Sequence, residues 1–264
     1  MKSLSTALRV LNQFTEDTPR LSVSELTQRS GLTKGQVSKI LATFREAGLL
    51  QQDPQSRLYS VGVTAFALGS RFVNYHPLAK EGLPILRQLM EETGHSARLT
   101  LMTGDSIVYL AQVDGRFLSD SGWRVGMFLP LHATSAGKVT LAFLESSRTD
   151  QLLSTLDMHR LTADTIVDKK ALRAQLNEII RKGYGTARGE STLGLAAVGV
   201  PVFGTDNKLL SVLSLSYPQH VVAESAEENL AATLHDAARM LSHRMGARVY
   251  PFGGAKQPVR AGTR

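Results

Sequence analysis

The stretch LSVSELTQRSGLTKGQVSKILATFREAGLLQQDPQSRLYSVG, from Leu21 to Gly62, decides how the first part of the chain folds. Ser22 and Glu25 have the spacing of a capping box, in which each side chain bonds the other residue's backbone N–H. A short helix follows with Val23, Leu26 and Thr27 on one face. Gly31, free to take positive φ, ends it. Thr33 is placed to cap the next helix, in which Val37, Ile40, Leu41 and Phe44 form one apolar stripe. The opposite face carries Lys34, Gln36, Ser38, Lys39 and Thr43. These are cations that seek phosphates and short polar groups that reach base edges. Gly48 closes this helix. Residues 49–52 and 57–61 then read as two strands around the turn Asp53-Pro54-Gln55-Ser56.

Two short helices, a Gly-containing turn and a hairpin make the pattern of a winged helix-turn-helix, which lays its second helix in the major groove of DNA. An ordinary amphipathic helix pair with a solvated polar face would show the same stripe; the wing and the basic charge favour the DNA reading. Lys34, Gln36, Ser38, Lys39, Thr43 and, in the wing, Arg57 are the candidate contacts. Gly35 costs the second helix about 1 kcal/mol of propensity against Ala, but without a Cβ it lets the backbone approach a phosphate.

The whole chain has 264 residues, a hydrophobic content of 42% and a formal charge of +7. That length suits one large or two modest domains with a real core. The charge is spread: residues 1–62 hold eight Lys and Arg against five Asp and Glu. Nucleic acid contact is favoured but not required. There is no cysteine, which removes disulfides, thiolate nucleophiles and Cys-based zinc sites and agrees with a cytoplasmic location. No apolar run is long enough for a transmembrane helix. The opening MKSLSTALRVLNQF lacks the apolar core of a signal peptide and reads as an amphipathic helix.

Downstream, residues 63–75 read as a connecting helix, broken at His76-Pro77 because a residue before Pro is pushed out of the α region. A helix with Leu83, Leu86, Leu89 and Met90 stops at Gly94. Residues 97–102 and 106–113 read as a hairpin, and 118–125 as a third strand. Helices are expected over 136–144, 147–157 and 168–182, the last between an Asp168 cap and Gly183. Strands at 195–203 and 209–217 and a long helix over 224–245 follow. Helices with hairpin-linked strands predict an α+β fold with an antiparallel sheet. The expected divisions are a winged helix-turn-helix over 1–62, a linker helix over 63–76, an α+β domain over 77–246 and a disordered basic tail over 247–264.

Taken in order, the winged helix, GKVTLAFL after PLHATSA, GYGTARGESTLGLAAVGVPVF and SVLSLSYPQ resemble the IclR family of bacterial transcription regulators over about residues 3–246. The resemblance implies a GAF-like effector-binding second domain and assembly as a homodimer or tetramer. It also implies binding of double-stranded promoter DNA, a small carboxylic or aromatic acid as effector, and control of catabolic or transport genes. No cofactor or metal is implied. Carried over position by position, it places the effector pocket at Ser121, Leu129, Ser135, Ala136, Leu195, Ala197, Ser214 and Ser216. The chain departs from the family pattern at Ala187, where an acidic residue is usual, at Ala196-Ala197, where Arg-Cys is frequent, and at Gly204. A less polar pocket, with Arg98, Trp123, Arg124 and Arg188 near its segments, points to an aromatic or medium-sized organic acid. For each Arg, a surface salt bridge is the alternative.

An enzyme finds little support. None of the seven His forms H-x-x-x-H, no G-x-S-x-G or Walker A loop is present, and His132 in PLHATSAGK suits packing better than catalysis. The other alternative is a ligand-binding module that acts through protein partners.

Overall fold

The computed structural model describes residues 2–15, 17–116 and 124–253. The chain divides into two compact units, Met1–His76 and Pro77–Arg264.

The first unit holds α1 (Lys2–Leu11), β1 (Arg20–Leu21), α2 (Val23–Ser30), α3 (Lys34–Glu46), β2 (Leu50–Gln52), β3 (Tyr59–Val61) and α4 (Val63–Tyr75). The expected Ser22–Glu25 capping box forms, with Ser22 N donating to Glu25 Oε2 at 2.7 Å, and the expected Thr33 cap proves to be a second box, with Thr33 N donating to Gln36 Oε1 at 3.0 Å. Gly31 caps α2 at φ 68°, in the left-handed region. Val10, Leu21, Leu26, Val37, Leu41, Leu50 and Tyr59 form the buried core. The wing is a small antiparallel sheet in the order β1-β3-β2. Its outer strand β1, unforeseen from the sequence, pairs Arg20 with Ser60 and Leu21 with Tyr59. Gly62 lets the chain leave the wing: a Cβ there would lie 2.3 Å from the Gly48 carbonyl oxygen.

The second unit runs α5 (Pro77–Thr93), β4 (Ser96–Thr103), β5 (Ser106–Val113), β6 (Phe128–Leu129), α6 (Ser135–Phe143), α7 (Ser146–Thr155), α8 (Lys169–Lys182), β7 (Gly185–Arg188), β8 (Leu195–Phe203), β9 (Leu209–Pro218) and α9 (Glu227–Arg244). Among the described residues, its strands β4 to β9 form one antiparallel sheet in the order β6-β5-β4-β9-β8-β7. Helices α5 and α9 pack together on this sheet, as do α6 and α8. The α+β fold is therefore the one expected. Among the described residues, no helix is long and apolar enough to cross a membrane.

Local structure departs from expectation in a few places. The strand expected over 118–125 lies outside the described residues except at 124–125; there Met127 N bonds Arg124 O in a turn, and β6 follows at Phe128–Leu129. Strand β7, placed between two glycine turns, had not been foreseen. The chain also does not become a free tail after Gly246. Ala247 and Tyr250 are buried, and the Tyr250 hydroxyl donates to Pro201 O at 3.1 Å. Phe252 stacks edge-on to Phe143, with ring centroids 5.4 Å apart. The remainder of the expected tail, 254–264, lies outside the described residues.

Candidate functional site

Two sites emerge, one in each unit. In the first, α3 buries Val37 and Leu41 and turns Lys34, Gly35, Gln36, Ser38, Lys39 and Thr43 to solvent. The predicted polar face is thus one exposed surface. Two of its members also have local partners. The Gln36 carboxamide oxygen accepts from the Thr33 backbone and, at 3.0 Å, from its hydroxyl; the Thr43 hydroxyl donates to Lys39 O at 3.1 Å. Gln36 therefore positions the N-terminus of α3 while its NH2 remains a donor. Arg57 is exposed at the hairpin tip with φ 60°. Its turn is set by Asp53, whose carboxylate accepts from Gln55 N, Ser56 N and the Ser56 hydroxyl. These bonds hold the Asp53 carboxyl below the usual carboxylate range.

In the second unit the site follows from strand register. Residues directly opposite in an antiparallel pair share a face. Arg98 on β4 stands opposite Ser214 on β9, which stands opposite Gly199 on β8. The next row is Ser96, Ser216, Ala197 and Ala187. A Cβ at Gly199 would lie 3.4 Å from the Ser135 hydroxyl, so this face looks toward the start of α6. Alternate residues such as Leu99 face the other way, toward Gly82 of α5 and Leu241 of α9.

Between the two rows and α6 lies a cleft lined by Arg98, Tyr109, Ser135, Glu190, Leu195 and Ser216, with Ala197 among the small residues of its wall. Of the residues expected at the effector site, Arg98, Ser135, Leu195, Ala197 and Ser216 are thus brought together in this cleft. Ser214 is buried on the same face but outside the lining. Leu129 and Ala136 belong to the apolar core around α6 instead. Ser121 and Trp123 lie outside the described residues. Arg188 is committed elsewhere: its Nη1 sits 2.5 Å from Glu227 Oε1, so it ties β7 to the start of α9. Arg124 is exposed.

Arg98 is 2% exposed. It donates to the Ser216 hydroxyl at 2.5 Å and to Gln112 Oε1 at 3.2 Å, and its guanidinium lies 5.3 Å from the Tyr109 ring centre. Burial pushes the Tyr109 hydroxyl above its ordinary range, against the pull of Arg98, so it remains a neutral donor. At the opposite wall, Thr134 caps α6 by accepting from Gly137 N at 3.0 Å. This leaves the first two N–H groups of the helix without intrahelical partners. Gly137 is required there, because a Cβ would come within 2.5 Å of the Leu131 backbone.

Reasoning from sequence missed the charge pair beside this cleft. Lys138, buried in α6, places Nζ 2.7 Å from Glu190 Oε1 and donates to Gln175 Oε1 at 3.0 Å. Burial lowers the Lys138 pKa while the Glu190 charge opposes the fall. The available signal was a lysine immediately before the run VTLAF of an apolar helix, a position that demands a partner when buried. His132, weighed as a base, is buried with Nε2 3.0 Å from His159 O, and burial lowers its pKa. It packs the loop before α6.

The C-terminal part of the chain, residues 70–243, matches the family model described as bacterial transcriptional regulator IclR C-terminal, and residues 3–54 match the IclR helix-turn-helix domain. The chain belongs to the IclR family. It is 31% identical over 252 residues to the HTH-type transcriptional regulator KdgR of Escherichia coli, covering 95% of this chain and 96% of the relative. It is 27% identical over 241 residues to the transcriptional repressor IclR of Escherichia coli, covering 90% and 88%. The crystal structure of an IclR regulator from Alicyclobacillus acidocaldarius superposes with a TM-score of 0.80 at 28% identity, over 93% of this chain and 99% of that one. The IclR relatives are transcription regulators and not enzymes. The protein is accordingly a helix-turn-helix transcription regulator with an effector-binding domain.

Proposed function

We propose that the protein switches its affinity for a duplex promoter operator in response to a small carboxylic acid bound between the sheet and α6, in control of catabolic or transport genes. The observation that carries this is Arg98, a buried cation that lines a cleft together with Ser216, Ser135 and the start of a helix. A guanidinium binds a carboxylate through two parallel hydrogen bonds, and the free N–H groups of a helix start favour an anion. The cleft volume is about 20 Å³, room for roughly one water. An acid of several heavy atoms therefore has to spread Leu195 and Ser135 apart, and that movement is what a regulator can transmit. The ligand acts only through its different affinity for the two states.

On the DNA side, Lys34 and Lys39 supply phosphate contacts, and Ser38, Thr43 and the Gln36 NH2 face the base edges, with Arg57 reaching from the wing. Two copies acting together are supported by α4, which buries none of its residues and exposes Val63, Phe66, Leu68, Phe72 and Tyr75. An apolar surface of this kind marks an interaction site. We assign it to a second copy of the chain, so that two α3 helices reach successive half-sites about 34–36 Å apart.

The test is acid binding by Arg98→Gln. Hydrogen bonds to a charged group contribute roughly 1.5–3 kcal/mol. The variant should bind the effector acid about 10–100-fold more weakly while retaining its operator affinity in the absence of acid. Unchanged acid affinity would remove Arg98 from the site.

A further inference from the structure

Glu190 lines the same cleft, and its two carboxylate oxygens are not equivalent. Oε1 is taken by Lys138. Oε2 is buried and accepts no hydrogen bond among the described residues. A buried carboxylate oxygen without a donor is costly, and the surroundings give Glu190 little freedom to seek one. Its backbone oxygen accepts from the Thr165 hydroxyl at 2.7 Å and the Thr162 hydroxyl at 3.3 Å, while Lys138 is fixed in turn by Gln175. We infer that the effector carries a hydroxyl that donates to Glu190 Oε2, so that the site selects a hydroxy acid. This rests on the cleft being the effector site.

Charge decides the kind of donor. Lys138 and Glu190 already balance each other. A ligand ammonium would add a further buried cation with no anion left beside Glu190 to neutralise it. A ligand carboxylate would face a like charge. A keto oxygen would set lone pair against lone pair. A neutral hydroxyl supplies the missing donor and changes no charge. The ligand is also oriented by this arrangement: its carboxylate goes to Arg98 and Ser216, and its hydroxyl to Glu190. A site built to hydrogen-bond a hydroxyl strongly rejects the analogue that lacks it, because its own polar group is then left unpaired.

The experiment is calorimetric titration of the full chain with matched sets of acids: propionate, lactate, pyruvate and alanine; phenylacetate, mandelate, phenylglyoxylate and phenylglycine; benzoate with the hydroxybenzoates and aminobenzoates. The hydroxy member of at least one set should bind at least ~10-fold more tightly than each counterpart. If acids bind but the hydroxy members never exceed their counterparts, the assignment of Glu190 is overturned and the carboxylate site stands. If no acid in any set binds or alters DNA affinity, the cleft reading falls and this inference with it. Replacing both charges at similar volume, Lys138→Met with Glu190→Met, should bring the hydroxy and unsubstituted acids to within about 2-fold of each other, since the differential hydrogen bond is gone. A preference that survives in this double variant overturns the proposal.

Discussion

Gln36 illustrates, at the residue scale, how one side chain serves two purposes. Its oxygen completes the Thr33 capping box and its amide hydrogens stand on the face proposed for DNA. Gln36→Ala should therefore cost about 1 kcal/mol of stability from the lost cap as well as relaxing preference at one base position. Lys39→Ala should leave stability unchanged, weaken binding to every sequence and reduce the salt slope by about 1. Denaturant unfolding and affinities measured across salt separate the two; a sequence-selective loss from Lys39→Ala would contradict the assigned roles. Lys138 and Glu190 give a second prediction at this scale. Lys138→Met alone should destabilise by roughly 3–5 kcal/mol, because it strands a buried carboxylate, whereas the double replacement should be nearly neutral. Residues of this kind are only half legible in a sequence. Arg98 and Lys138 announce themselves as charges within apolar runs, but nothing local says that Lys138 meets Glu190, 52 positions along the chain.

Elements were legible where their signals are local. Both capping boxes, the Asp168 and Gly183 limits of α8 and the Thr103–Ser106 hairpin follow from neighbouring residues. Strands β1 and β7 are short and owe their existence to partners far along the chain, so no periodicity reveals them. The segment after Gly246 was misread because its composition is that of a tail. Its two aromatic residues decide otherwise, closing over α9 and β8 through Tyr250 and Phe252. The Tyr250 hydroxyl accepts from His235 Nδ1 at 2.8 Å while donating to Pro201 O. Burial pushes the His235 pKa down to about 4 from an ordinary value of 6.5. The unfolded chain therefore takes up this proton before the folded one does. Stability from this group is full above pH 6.5 and falls as the pH drops toward 4, by roughly 3 kcal/mol in all. Thermal unfolding followed against pH should show that loss, and His235→Gln should flatten it. An equal slope in the variant would place the effect elsewhere.

For the whole molecule, it is mainly strand register that builds the proposed effector site. Side chains from β4, β8 and β9 meet on one face because the sheet order sets β9 between β4 and β8. Strand spacing alone puts Ser214 and Ser216 on one face; that Arg98 joins them follows only from the pairing of β4 with β9. The polar face of α3, by contrast, was complete in the sequence, since a helix displays its own periodicity. Assembly is the remaining property at this scale. Phe66→Asp with Phe72→Asp should convert a dimer to a single chain in sedimentation and lower affinity for a two-half-site operator far more than for one half-site. A wild-type protein that sediments as a single chain would contradict the role given to α4.

The central claim is that an acid in the cleft changes sequence-specific DNA binding. Selection of duplexes from a random pool by the full chain, at fixed salt and with each acid of the matched sets present or absent, tests it most directly. Enrichment of a repeated or inverted site is expected, with a change in that enrichment when a hydroxy acid is present. Failure to enrich any sequence in any condition would contradict it and favour a module that acts through protein partners.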